Sequence, residues 1–260
     1  METDCNCEFG YELALMLPYA YYLYENNLLN KTTSSLMTKE LYYFSKNHQE
    51  KYKNRIFNNP NVPNKNPHVK ELNYDKYIPP PYKSKYKNNY FVYDKPLLII
   101  HNKFNLEWGK KPINFINIKT LTEIFDLLKN KYTIIYIRPQ SKNIIGDNSS
   151  IYNLNETSLL ELHNIIDGNK LYEETKKIYM INNFNHFQLL IHSNCNNFIS
   201  VQGGSSILAS YFGGTNIIYA KRGGELECGS YNGHYKKYSN CNVLHSNNYV
   251  DFVELIKANF

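Results

Sequence analysis

The chain is predicted to be an α/β protein with a parallel sheet covered by helices. Short continuously apolar runs, helix-period segments between them, and glycine pairs where the apolar runs end all point that way. The apolar runs lie at 96–101 (PLLIIH), 132–137 (YTIIYI), 198–201 (FISV) and 216–220 (NIIYA). They lack the alternation of a strand with one wet face, as strands buried on both faces do. From Ile118 onward such runs alternate with helical segments, the pattern of a parallel sheet with crossover helices.

Taken in order, residues 5–9 read as a short strand. Between Tyr11 and Leu29, Leu13, Leu17, Ala20, Tyr21, Tyr24 and Leu28 recur at helical spacing, just after Gly10. Pro18 lies inside this pattern. It either kinks the helix or stands in the first turn of its main body, where a missing N–H is harmless. Residues 38–44, which contain LYYF, read as a strand. Between 58 and 89 lie Pro60, Pro63, Pro67, Pro79, Pro80 and Pro81, six of the ten prolines, among lysines and tyrosines. A stretch this long without periodicity is a functional loop, an arm or a linker. Its tyrosines offer surface to pack, which favours an arm. Residues 118–128 form an amphipathic helix with Leu121, Ile124, Phe125 and Leu128 on one face. Helices are expected over 156–166, 184–192 and 249–257, and strands over 177–181 and 243–245.

The densest signal is 197–220. It reads as a strand, a tight Gly203-Gly204 turn, a helix over 205–212 capped by Ser205 or Ser206, and a second strand. Eight of the 12 glycines fall between Gly203 and Gly233. Two readings are open for this stretch. Free N–H groups at a helix start make a phosphate pocket, and the same pattern serves an ordinary strand–turn–helix crossover. In parallel sheets ligands bind beyond the carboxyl ends of the strands. That places 138–147, 202–206 and 221–233 at the rim.

Composition narrows the function. The net charge of +6 is dispersed, with a local cluster of Lys83, Lys85 and Lys87. It suits a phosphate-bearing small ligand. No recognition-helix, zinc-finger or RNP-type pattern is present, so a nucleic-acid partner is not expected. Five cysteines without disulfide rhythm suggest a reducing compartment. The opening METDCNCEFG is acidic and polar, unlike a signal peptide, and no apolar run reaches about 18 residues. A cytoplasmic chain without a transmembrane segment is expected. G-x-G-x-x-G and the P-loop pattern are both missing, which disfavours a dinucleotide fold and a P-loop.

Arg138 closes a buried strand, where an arginine can clamp phosphate oxygens or form a structural ion pair. His101, Glu107 and Asp147 are the alternatives for an acid–base group, and the residues do not choose among them. Cys228, His234, Cys241 and His245 have zinc-ligand chemistry at a spacing that fits no standard finger. No Asp-x-Asp pair offers a carboxylate anchor for a metal-bound diphosphate, and no metal is expected.

The stretch 184–220, FNHFQLLIHSNCNNFISVQGGSSILASYFGGTNIIYA, resembles the donor half of GT-B glycosyltransferases, including their fucosyl- and heptosyltransferase-like branches. The opening CEFGYELALMLPYAYYL is similar to the glycine-then-helix start of the partner domain. The resemblance covers about half of the chain. It implies two Rossmann-like halves facing a cleft. An acceptor-side domain at 1–115 would carry the arm at 58–90, and 116–260 would bind the nucleotide sugar. It implies Gln202, Gly203, Gly204, Ser205 and Ser206 as diphosphate neighbours, Arg138 as a basic donor-site residue, Glu225 for the ribose and Gly10 facing the cleft. His101 or Glu107 would be the base. The function implied is hexosyl or deoxyhexosyl transfer from a nucleotide sugar to a glycan or other hydroxyl acceptor, without metal or other cofactor. A non-catalytic interaction protein derived from such a fold is the alternative. An α/β enzyme acting on a phosphorylated metabolite is the third reading.

Overall fold

The computed structural model describes residues 1–56, 61–109, 111–146 and 149–260. Two parallel sheets organise them. The larger contains β4 (Leu97–His101), β5 (Thr133–Ile137), β6 (Ile166–Asp167), β7 (Asn197–Val201), β8 (Thr215–Tyr219) and β9 (Asn242–Ser246), in the order β6-β5-β4-β7-β8-β9. In chain order that is 3-2-1-4-5-6. The chain starts at the centre, winds to one edge, returns beside its start and winds to the other, as in doubly wound folds.

The apolar runs form these strands because both faces of the sheet are covered. Side chains alternate between faces along a strand. Leu97 and Ile99 join the core on one side with Phe198 and Ile218, while Leu98 and Ile100 join the other with Ile199 and Ile217. The second side is closed by α4 (Ile118–Leu128) and α10 (Tyr249–Asn259), through Leu121, Ile124, Phe125, Phe252 and Ile256. The first side is closed by α7 (Phe184–Ser193), α8 (Gly204–Ser210) and the N-terminal part of the chain. Asparagine side chains cap three of these helices. Asn117, Asn183 and Asn248 accept from the backbone N–H three residues on, at 2.8 to 2.9 Å.

The smaller sheet is β1 (Glu2–Asp4), β2 (Lys31–Ser35) and β3 (His48–Tyr52), parallel and in that order. Its first crossover is one helical run, α1 (Phe9–Tyr11), a π-turn (Glu12–Met16) and α2 (Leu17–Glu25). Pro18 stands in the first turn of α2, the second of its two expected positions. The Glu12 carboxylate on the π-turn is fully buried. It accepts from Arg55 at 2.6 Å, from the Tyr42 hydroxyl at 2.8 Å and from Ser34.

The small sheet differs from expectation. The LYYF segment is a buried turn closed by Leu41 N–H and Tyr42 N–H donating to the Thr38 carbonyl. The central strand is instead polar, Lys-Thr-Thr-Ser-Ser, and buried from Thr32 to Ser35. The expected strand at 5–9 is replaced by β1 just before it. The expected strand at 177–181 is a turn that leaves Ile178 and Met180 exposed. The helix expected over 156–166 is the shorter α5 (Thr157–Leu162), Ile166 belongs to the edge strand β6, and α6 (Gly168–Thr175) follows where no helix was expected.

Within 61–90 the proline-rich segment is a packed arm. Tyr82 is fully buried, its hydroxyl donating to the Leu41 carbonyl at 2.8 Å. Next to it, in α3 (Tyr82–Lys85), Lys83 Nζ donates to the Cys195 and Phe212 carbonyls at 3.2 and 2.7 Å. Those carbonyls lie just past the C-terminal ends of α7 and α8, where a cation is favoured. One apolar core therefore runs from Cys5 and Leu13 through Tyr82 to Phe187 and Val243. The central strand β4 lies before the expected division at 115/116, so the larger sheet begins at Leu97. The five cysteines are unpaired. No described helix is long and apolar enough to cross a membrane.

Candidate functional site

Strands β4 and β7 are neighbours, yet the chain leaves them in opposite directions. After β4 it goes to α4 on one face, and after β7 to α8 on the other. Such a divergence leaves a crevice at the strand ends. Here it holds a cavity of about 580 Å³, lined by Lys103, Glu107, Gln202 and Gly203 from the sheet. Gly10 and Arg55 line it from the N-terminal part and His68 from the arm. The volume is in the range of small-molecule sites.

Gly203 makes the turn at the end of β7 with φ 124° and ψ −167°, a backbone other residues adopt only under strain. It is the N-cap of α8, which begins at Gly204 rather than at Ser205 or Ser206. Ser205 lines the cavity. Ser206 does not: its hydroxyl donates back to the Gly203 carbonyl at 2.8 Å and is fully buried. The N–H groups of Gly203, Gly204 and Ser205 donate to no acceptor among the described residues. Gly10 and Gly204 touch across the cleft. A Cβ on Gly204 would stand 2.8 Å from the Phe9 ring and 3.2 Å from the Gly10 nitrogen.

The floor is a braced polar network. Lys103 Nζ is ion-paired with Glu107 and donates to Gln202 Oε1 at 3.2 Å. The Glu107 carboxylate also accepts from the N–H groups of Ile113 and Asn114 at 2.9 and 2.7 Å. Asn114 is fully buried, and its Nδ2 donates to Gln202 Oε1 and Glu107 Oε1, both at 3.2 Å. Its Oδ1 accepts from the N–H groups of Lys221 and Arg222 at 2.9 and 3.1 Å. Gln202 Nε2 donates to Glu225 Oε2 at 2.7 Å, with His68 Nδ1 3.8 Å from the same oxygen. Glu225 opens α9 (Gly224–Glu227) and reaches the cavity beyond β8.

At the mouth a hairpin pairs Glu107 with Lys111, and Trp108 sits at its tip with φ 49°. For a bulky L-residue the left-handed region costs about 1 kcal/mol. The Arg222 guanidinium lies 5.6 Å from the indole centroid.

Two expected site residues lie elsewhere. His101 is fully buried and faces His192, with their Nε2 atoms 2.7 Å apart. His192 Nδ1 is 2.5 Å from the Gln188 carbonyl. A carbonyl only accepts, so His192 carries its proton on Nδ1 and its Nε2 accepts from His101. Burial lowers the pKa of both imidazoles, that of His192 to about 3, and the neighbouring imidazole adds to the effect at His101. His101 is thus a neutral core residue with no access to the cavity. Arg138 pairs with Glu156 at 2.5 Å and donates to the Tyr152 carbonyl at 3.0 Å. It follows β5, one strand outward from β4, and does not line the cavity. Lys103 does, as does Arg55, whose guanidinium is paired with Glu12. Asp147 lies outside the described residues.

His234 is buried at the cavity wall; its backbone N–H donates to the Lys70 carbonyl at 3.0 Å, and neither ring nitrogen has a hydrogen-bond partner among the described residues. Cys241 Sγ points instead to the Gly213 carbonyl. Among the described residues no three His, Cys, Asp or Glu side chains gather as a metal site.

Lys103, Asn114 and His68 are the residues the sequence reading missed. Lys103 lies two residues after the run PLLIIH, nearly the signal that singled out Arg138 directly after YTIIYI. Comparison with protein families, curated proteins and solved structures gave no match.

Proposed function

We propose that the chain is a glycosyltransferase of the GT-B type. It binds a nucleotide sugar in the cavity between the ends of β4 and β7 and moves the sugar to an acceptor hydroxyl. The observation that carries this reading is the make-up of that cavity. A lysine and three residues with unpartnered backbone N–H groups line it from two adjacent strand exits, with a carboxylate beyond the third. The N-terminal parallel unit closes it through Gly10.

In this reading Lys103 and the N–H groups at 203–205 hold the diphosphate, and Glu225 accepts from the ribose hydroxyls. Glu107 holds Lys103 in place and is a positioning residue. As the acceptor oxygen bonds to the anomeric carbon, the bond from that carbon to the diphosphate oxygen breaks, the diphosphate leaves with the electron pair, and the hydroxyl proton is released to solvent. Preorganised donors at that oxygen are the main source of rate enhancement in such a transfer. The smaller sheet with α1 and α2 is the acceptor-side half. No metal or other cofactor is assigned.

Binding without transfer is the second reading, and one observation favours it. Two of the cavity carboxylates, Glu107 and Glu225, already accept from protein donors, and His101 is sealed in the core.

Thermal unfolding with UDP, GDP, ADP, CMP and inorganic diphosphate tests the proposal. A ligand at 100 times its Kd adds about 2.7 kcal/mol of stability. Stabilisation by one nucleoside diphosphate, followed by release of that nucleotide from its sugar conjugates, is the expected result. Stabilisation without release selects the binding reading, and no stabilisation by any of them removes both.

A further inference from the structure

We infer that Trp108 and Arg222 form a nucleobase platform at the mouth of the cavity, a stacking site for the base of a nucleoside diphosphate. The inference rests on the donor-binding reading above and names the part of the ligand that the polar floor leaves unaccounted for.

Trp108 is the only tryptophan in the chain. It lines the cavity, and 54% of it is exposed. Among the described residues a large aromatic ring left in water at a cavity mouth is the exception: Phe104 and Phe115, on either side of the same hairpin, pack against the core. Its backbone is left-handed at φ 49°, a conformation in which a tryptophan is out of place by local preference. Strain of this kind gathers at ligand clamps.

The platform is built. The Glu107 carboxylate ties the hairpin down through the N–H groups of Ile113 and Asn114. The Asn114 side chain then reaches across to the N–H groups of Lys221 and Arg222. One fully buried amide therefore fixes both the strand that carries the indole and the loop that carries the guanidinium. Arg222 makes no ion pair among the described residues, and its guanidinium stands over one face of the indole, so a stacked ring would take the other face. A flat indole beside a planar guanidinium recognises a π-system, and every nucleobase presents one. Lys103, five residues before Trp108, lines the same cavity. A ligand with a flat ring at one end and phosphates at the other matches both.

The lone tryptophan is also the probe. Titration of the full chain with UDP, GDP, ADP and inorganic diphosphate would be followed by calorimetry and by tryptophan emission in parallel. A nucleoside diphosphate is expected to bind and to change the emission, and inorganic diphosphate to bind more weakly without changing it. Trp108→Ala is expected to weaken the nucleoside diphosphate about ten-fold or more and to leave inorganic diphosphate within about two-fold, with Trp108→Phe between wild type and Ala. Calorimetric binding with unchanged emission and unchanged affinity in Trp108→Ala overturns the platform and leaves the donor reading standing. Equal loss of both ligands in Trp108→Ala makes the residue structural and also overturns it. If no nucleoside diphosphate binds, the platform and the donor reading fall together.

Discussion

Strands β4 and β5 lie side by side in the same direction, and each is followed within two residues by a basic side chain. The two side chains have opposite fates. Lys103, after β4, enters the cavity and is steadied by Glu107 and Gln202. Arg138, after β5, is held by Glu156 and the Tyr152 carbonyl and stays out of it. Charge and local sequence do not separate them. Strand order does, because only β4 borders the strand from which the chain turns back to the other face. The end of β4 is also a boundary in depth: His101, the last strand residue, is sealed in the core, and Lys103, two residues on and past the sheet, lines the cavity.

The largest effect tests the core side of that division. In the unfolded chain an imidazole takes its proton near pH 6.5. The folded His101 and His192 refuse it, His192 down to about pH 3. Below pH 6.5 the unfolded chain therefore binds more protons, and stability present above that pH is lost as the pH falls. Each buried histidine accounts for about 2 kcal/mol between pH 7 and pH 5. Urea midpoints at the two pH values should show the loss, and a His101→Leu/His192→Leu chain should lose about 4 kcal/mol less over the same interval. An unchanged slope would mean that the pair is solvated.

Asn114→Ala comes next. It removes the brace between the hairpin and the 221–222 loop and strands buried partners. A loss of about 3 kcal/mol in urea unfolding is expected, together with weaker binding of a nucleoside diphosphate. A loss below about 1 kcal/mol would show that the brace is replaceable.

The paired lysine and arginine variants sharpen the comparison directly. Lys103→Met should weaken nucleoside diphosphate binding about 100-fold, or 2.7 kcal/mol, with a smaller loss of stability than Arg138→Met, because the Glu107 carboxylate keeps its bonds to the Ile113 and Asn114 N–H groups. Arg138→Met should leave binding within about two-fold and cost about 2 kcal/mol of stability, because the Glu156 carboxylate loses its partner. Calorimetry and urea unfolding on both proteins read the two effects, and reversed outcomes would exchange their roles. Ser206→Ala should do least, with binding within about two-fold and about 1 kcal/mol lost from its bond to Gly203.

The larger sheet was legible because its strands are buried on both faces, so 97–101, 133–137, 197–201 and 215–219 stand out as apolar runs. The smaller sheet was not. Its central strand is Lys-Thr-Thr-Ser-Ser, buried through hydroxyls that bond to Ser45, His48 and Glu12. A pairing of that kind leaves no hydrophobic period to read. The Gly203-Gly204 turn and the rim at 202–206 and 221–233 were readable because turn chemistry and the exits of apolar strands are local, whereas Gly10 and Glu225 in particular entered only through the resemblance. Lys103 and Asn114 were not, since their roles depend on which strand lies at the centre, and Asn114 acts through loops 107 residues apart. Phe9 and Gly10 show the same limit. Their contact with Gly204 joins the two ends of the chain, and nothing in either segment announces it.

Amide hydrogen exchange with and without a saturating nucleoside diphosphate tests most directly that the exits of β4 and β7 form the ligand site. Slower exchange at 102–108, 203–206 and 222–226, with 157–175 unchanged, is the predicted result. Protection confined to the segment after β5, or no protection in the presence of bound nucleotide at 203–206, would contradict it.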